Sequence, residues 1–497
     1  MRLFAGSAAA TIGIAAAVRY HQLGLTLSHY DARGHLIVAR RIIDSLTPGW
    51  QQIGAVWLPL PHLLNMLPVQ IDAFYRTGAS AVAISVASFV LAAMSIAWIV
   101  SLLTESRPAA LAAAAVFVLN PNLVYLQATP MTEPLLLGLT TLGVALLIRR
   151  LRSVPLQPDV PPKADATNMA PGIVLALACL TRYEAWPVTY AALAGAAWTR
   201  WRNGRSLRES LIDVTRIAIY PTLAILGFAV FSRVVVGQWF VSSDFFVPDN
   251  KALGMPMVAV NEIVWGTREL SGRVLIAFGI AGGAGLLAAG LFMKRHAGAL
   301  VALSLAGTTA VPWAAFIDGH PFRIRYMVPL IAMEAVAIGI LAGAPKRGAL
   351  QRAAATAIIL LAAYELRPFD VKAPMVTEAQ WDVVNQAPRH EVTKCLKSRY
   401  DGSSIMASMG SLGHYMQETS REGFNVRDFL HEGNGDIWLA ALVQPRPFAA
   451  WMLIEEKAEG GDMLARRARE QPSFLDGYER TCEGAGLALY RRRAPSP

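Results

Sequence analysis

The chain has 497 residues, of which 54% are hydrophobic and 16% charged, with a formal net charge of +10. Soluble domains carry roughly 25% charged residues, so this balance excludes an ordinary soluble enzyme and points to a polytopic membrane protein. Sixteen bases against five acids fall in the loops on one side of the proposed spans, so the net charge is a positive-inside signature and not a nucleic-acid footprint.

Apolar windows able to cross a bilayer occur near residues 4–20, 79–103, 109–126, 134–148, 170–181, 185–199, 214–236, 274–293, 298–316, 327–344 and 353–366. That makes about eleven spans. The first begins after Arg2 and is not followed by a clear small-residue cleavage site, so it reads as a membrane anchor and not a cleaved leader. With the N-terminus inside, the long segment 22–78 lies outside. It opens on Asp31, His35, Arg40 and Arg41 and continues into the apolar, proline-bearing run Trp57 to His62. From Gly34 to Leu46 apolar residues recur at helical spacing opposite Arg40, Arg41 and Asp44, as in a helix lying in the membrane interface with its arginines as anchors. The Trp-Pro run reads as a second interfacial segment.

The next outer turn is Thr132-Glu133-Pro134, where Glu133 heads a span. A carboxylate there is either a helix cap or a group facing a shared cavity. Residues 153–168, rich in proline, read as an inner linker. The tight turn Arg182-Tyr183-Glu184 is either an ion pair in an aromatic belt or part of the same cavity. Segment 237–273, with Asp244, Asp249, Lys251, Glu262 and Arg268, reads as a substrate-covering loop. The last outer turn carries His320, Arg323, Arg325 and Tyr326, and Glu334 follows inside the next span, where an ionisable group is costly unless it is paired or wet.

From about 367 onward the composition becomes that of a soluble mixed α/β domain, placed outside by an odd number of spans. Helical spacing marks 378–400 and 462–470, and strands are expected at 404–408, 450–454 and 486–490. Cys179 sits in a span as small apolar filler. Cys395 and Cys482 are either bridged or two separate buried thiols. The polar stretch His431-Glu432-Gly433-Asn434 lacks zinc-site spacing and reads as a solvated turn.

The fold class expected is therefore mainly α: a polytopic membrane helical bundle (1–366) with a C-terminal extracytoplasmic α/β domain (367–497). Carboxylates, arginines and histidines gather at one membrane face. That grouping suits transfer from a lipid phosphate: arginines hold the phosphate and stabilise it as leaving group, and a carboxylate takes the proton of an incoming nucleophile. A transporter or flippase is the alternative, although inverted repeats are not apparent. A non-catalytic assembly or sensory protein is a third reading.

The order of these motifs resembles the GT-C superfamily of polytopic glycosyltransferases, particularly bacterial relatives of protein O-mannosyltransferases and the lipid A aminoarabinose transferase. The matching features are Asp31 in a long first outer loop, the Trp57–His62 segment, the Thr132–Pro134 turn, Arg182-Tyr183, Arg325-Tyr326 with Pro329, and the outer C-terminal domain. Two departures stand out: Ala32 follows Asp31 where many relatives have Asp-Glu, and Leu58 stands before Pro59 where lysine is common. The resemblance implies a polyprenyl-phosphate sugar donor, an extracytoplasmic acceptor, an inverting transfer, and residence in the cytoplasmic (inner) membrane. It implies Asp31 as base and Glu133 as a second acid near the acceptor or a divalent metal ion. Arg182, Arg323, Arg325 and Tyr326 would bind the donor phosphate, with His35, His62, Glu184, His320 and Glu334 as further cavity residues.

Overall fold

A computed structural model of the chain describes residues 1–153, 169–237, 239, 250–293 and 298–494. The expected linker from residue 154 on, and Asp244 and Asp249, lie outside the described residues. Two compact units emerge. The first comprises Met1–Gln22, Ala55–Leu60 and Val82–Thr377, and the second Leu23–Gly54, Pro61–Ala81 and Glu378–Pro497.

The first unit is a helical bundle. Among the described residues, eight of its helices are long and apolar enough to cross a membrane: Arg2–Gln22, Ala79–Thr104, Glu133–Arg152, Leu207–Val236, Arg273–Phe292, Ala299–Ile317, Ile324–Gly343 and Gly348–Leu366. The chain is a multi-pass membrane protein. The other three apolar windows are also helical but shorter or broken. Ala170–Cys179 has ten residues, Ala185–Arg202 ends in two arginines, and the 109–126 window splits into Arg107–Val118 and Pro121–Leu126.

The split has a local cause. Asn120 adopts an extended backbone, its side chain accepts from the N–H groups of Asn122 and Leu123, and Pro121 opens the next helix. The side-chain amides of Asn120 and Asn122 donate to the Leu270 carbonyl at 2.8 and 3.1 Å. Burial separates central spans from peripheral ones: 72% of the Ile324–Gly343 window is covered by protein, against 17% for Leu207–Val236. The central helix packs closely on Arg273–Phe292 because Gly282 lies against the Ala337 carbonyl, where a Cβ would collide. Part of the expected substrate-covering loop is regular: Pro256–Leu270 is a helix that buries Ala259, Ile263, Gly266 and Leu270.

The second unit holds a five-stranded sheet of β1 (Ile405–Ala407), β2 (Phe429–Leu430), β3 (Trp451–Glu455), β4 (Tyr478–Gly484) and β5 (Leu487–Arg492). The order is β2-β1-β3-β5-β4. β1 runs parallel to both β2 and β3, whereas β5 is antiparallel to β3 and β4. β1 and β3 are buried along their whole length, as expected for parallel strands covered on both faces. Met406, Leu430, Trp438, Met452, Leu464 and Phe474 share one hydrophobic core. The β4–β5 turn places Ala485 and Gly486 at φ 49° and 84°, the left-handed pair that a tight hairpin requires. Cys395 and Cys482 form a disulfide that joins the helix Val383–Arg399 to β4, so of the two alternatives the bridge is the one found.

Much of the long first outer segment belongs to this second unit. The helix Tyr30–Arg41 is buried from Asp31 through Arg40 and packs on the helix Met409–Thr419. This corrects the reading of Arg40 and Arg41 as interfacial anchors. Arg40 bonds Asp44 and Asp72, each at 2.8 Å, and lies over the Tyr75 ring at 4.4 Å. Asp44 is held in turn by Arg427. Arg41 donates to the Gln52 carbonyl and reaches the Met409 sulfur. A guanidinium fork satisfies carboxylates and carbonyls together, so it can be buried where an unpaired base could not. The Trp-Pro run is divided. Ala55–Leu60 joins the first unit, where Tyr183 donates to the Ala55 carbonyl and the Leu60 N–H donates to Leu180.

Candidate active site

Glu334 apart, the polar residues singled out from sequence are described here unit by unit. In the first unit the centre is Arg182, in the turn between Ala170–Cys179 and Ala185–Arg202. Its guanidinium bonds Glu133 at 3.0 Å and Glu184 at 2.7 Å, and it donates to the Thr132 hydroxyl at 3.1 Å. The Glu133 side chain is fully buried and that of Glu184 is 4% exposed. Glu133 arrives there because it begins the apolar helix Glu133–Ser153, and Glu184 because it is the residue before the helix Ala185–Arg202. Burial acts to lower the Arg182 pKa, but the two carboxylates outweigh it and hold the guanidinium firmly charged.

Tyr326 stands in the 3-10 turn Ile324–Met327. Its hydroxyl lies 3.4 Å from His320 Nε2, and His320 Nδ1 lies 2.9 Å from the Pro321 carbonyl. A carbonyl only accepts, so Nδ1 carries the proton and Nε2 of the neutral ring accepts from Tyr326. Burial lowers the His320 pKa and favours that neutral ring. Arg325 is buried and sits 5.2 Å from the Tyr326 ring centre, and Arg323 precedes the 3-10 turn that carries both. Glu334 is placed elsewhere in the bundle: it accepts from the Ser271 hydroxyl and lies against Gly279.

In the second unit, Asp31 sits in the first turn of the helix Tyr30–Arg41 and is buried. His35 follows one helical turn later, and its Nδ1 is 3.1 Å from His62 Nε2, both rings being buried. In such a pair one imidazole donates and the other accepts. His29, which the sequence reading passed over, precedes the helix and accepts the Asp31 backbone N–H. The legible signal was its position, two residues before an acid at a helix start.

Among the described residues, no three His, Cys, Asp or Glu side chains gather to hold a metal ion. Glu133 and Glu184 are both engaged by Arg182.

The helical bundle and the α/β unit make this a polytopic membrane protein, and the motif order led to the expectation of that architecture. No protein-family model matches the chain, and no curated protein matches it in sequence. Similar folds occur among solved structures. The crystal structure of ArnT from Cupriavidus metallidurans bound to undecaprenyl phosphate is 12% identical, with 98% of this chain and 99% of that one covered and a TM-score of 0.57. The Archaeoglobus fulgidus oligosaccharyltransferase in complex with Zn and sulfate is 13% identical, with a TM-score of 0.53 over 96% of this chain and 73% of that one. The oligosaccharyltransferase AglB of the same organism, with an inhibitory peptide and a dolichol-phosphate, is 12% identical, with a TM-score of 0.53 over 92% and 69%. At these identities the likeness establishes a shared fold.

Proposed function

We propose that the protein is a membrane glycosyltransferase that moves a sugar from a polyprenyl-phosphate donor to an extracytoplasmic acceptor. The observation that carries this reading is the likeness over nearly the whole chain to a transferase crystallised with undecaprenyl phosphate. The AglB structure with dolichol-phosphate supports the same donor class. The chain lies in the inner membrane with its N-terminus cytoplasmic and its soluble domain outside, in keeping with the bases of its inner loops.

In the inverting reaction, Asp31 takes the proton of the acceptor hydroxyl or amine as its oxygen or nitrogen attacks the anomeric carbon. The bond from that carbon to the phosphate oxygen breaks through an oxocarbenium-like state. Arg325 and Arg323 take up the charge of the departing polyprenyl phosphate. Arg182 joins them at the phosphate while its guanidinium holds Glu133 and Glu184 in place. Glu133 then lies beside the acceptor. No step is routed through a metal.

The reading is tested with purified full-length protein in lipid nanodiscs, supplied with an undecaprenyl-phosphate sugar and envelope extract, by measuring released undecaprenyl phosphate. Wild type is expected to release it and Asp31→Asn to lose about 100-fold or more in rate. Full activity in a folded Asp31→Asn protein removes Asp31 as base. Movement of solute across sealed vesicles without a lipid-linked sugar favours a transporter instead.

A further inference from the structure

We propose that His29 is a positioning residue for Asp31, set by the carboxylate of Glu378; this rests on the reading of Asp31 as the base. His29 is the N-cap of the helix Tyr30–Arg41, with an extended backbone at φ −71° and ψ 129°. Its Nδ1 accepts the backbone N–H of Asp31 at 3.1 Å. Its ring stacks on Tyr30, with centroids 4.8 Å apart and planes 25° apart. The side chain is 1% exposed, and Nε2 lies 3.9 Å from an oxygen of Glu378, itself 4% exposed.

The chemistry follows from the hydrogen-bond inventory. A ring nitrogen that accepts from an N–H has its lone pair there, so the proton of the neutral ring is on Nε2. Nε2 faces a carboxylate, which favours that tautomer and that ring orientation, as outer carboxylates do for ligating histidines. The N–H of Asp31 is thereby pinned from one side and the ring plane from two, by Glu378 and by Tyr30. The carboxylate of Asp31 leaves a backbone that cannot rotate without breaking the cap.

Serine, threonine, asparagine or aspartate caps a helix as well as histidine does. What the imidazole adds is reach, because its second nitrogen carries the cap to a second charge. His431 is a second histidine cap in this unit. Its Nδ1 accepts the Gly433 N–H at 3.0 Å, and burial, reinforced by Arg41, keeps that ring neutral.

The test uses the full chain in nanodiscs with an undecaprenyl-phosphate sugar, reading kcat and KM for sugar transfer beside the melting temperature. His29→Ala is expected to lower kcat by roughly 10- to 100-fold with KM within about twofold, because the base is displaced and donor binding is not. His29→Asn restores an acceptor oxygen for the same N–H and is expected to recover kcat to within about threefold. Glu378→Gln keeps the shape and removes the charge; it is expected to lower kcat about threefold or more at an unchanged melting temperature. A merely structural cap moves the melting temperature alone.

Wild-type kcat in a folded His29→Ala protein, or in Glu378→Gln if His29→Ala does not fold, overturns the proposal. Failure of His29→Asn to exceed His29→Ala overturns it too. Asp31→Asn separates the two ideas. If that variant is active, the base assignment has failed; if it is inactive while His29→Ala is not, only the role of His29 has.

Discussion

Arg182 is the residue on which the first unit's polar chemistry turns. Two buried carboxylates face it, and removing a shared counter-charge from such a site typically costs about 3–5 kcal/mol. Arg182→Ala is therefore expected to lower stability by about that much in a detergent melt, and Arg182→Lys by less, since an ammonium keeps the charge but not the fork. Glu133→Gln removes one of the two negative charges while keeping an acceptor, so stability should change little. If Glu133 lies beside the acceptor, its turnover should nevertheless fall at least tenfold, and full turnover would leave Glu133 a structural role only. The Arg182–Glu184 pair was legible because two opposite charges flank one residue of a tight turn. Glu133 as the third member was not, since nothing in a helix N-terminus states which distant arginine will reach it.

At the scale of elements, periodicity predicted a helix from Gly34 to Leu46, overlapping the observed Tyr30–Arg41, but misjudged its surroundings. Apolar spacing reports a buried face; it does not distinguish lipid from protein as the partner, nor does it show that the opposite, charged face will also be covered. Strands β1, β3 and β5 were readable from their apolar runs, whereas two-residue β2 and the polar, partly exposed β4 lacked any pattern to read. The split of one apolar window at Asn120-Pro121 carried a legible capping signal that hydropathy averages away. The disulfide joins a helix to a sheet-edge strand across a sequence separation of 87. Closing a loop of that length stabilises by about 4 kcal/mol in the chain-entropy account. Cys482→Ser should thus lower the second unit's urea midpoint, followed by tryptophan fluorescence with and without reductant. An unchanged midpoint would mean that the bridge adds nothing to the sheet.

For the molecule as a whole, the second unit should respond to pH in two opposite ways. Burial alone would raise the Asp382 pKa, but His414, Asn385 and Arg389 outweigh it and hold the carboxyl down to about 2. Its charged form is thus favoured by folding. That stability is present above the unfolded carboxylate value, roughly 3.9, and is lost as pH falls from there through about 2. Asp382→Asn should flatten that acid limb in a melting-temperature series. Asp462 behaves in reverse, because burial raises its pKa to about 6 despite bonds from the Ala465 and Glu455 N–H groups. Its folded value lies above its unfolded one, so its contribution is present at low pH and lost as pH rises from about 4 through about 6. Asp462→Asn removes the charge but leaves only one of the two N–H groups with an acceptor, so it should flatten the pH dependence between about 4 and 6 in a melting-temperature series while lowering stability at pH 4.

The sequence by itself determined the class of architecture: many membrane spans followed by an α/β end. Those features are sums over neighbouring residues, and hydropathy, loop charge and period are local quantities. Only the tertiary structure decided that much of the segment after the first span belongs with the C-terminal domain, that Arg40 is buried and Arg41 partly so, and that Arg182 holds two acids. It alone showed that His29 stands between Asp31 and Glu378. Each of these depends on which side chains meet across tens or hundreds of residues, and such meetings are set by packing that no local window contains.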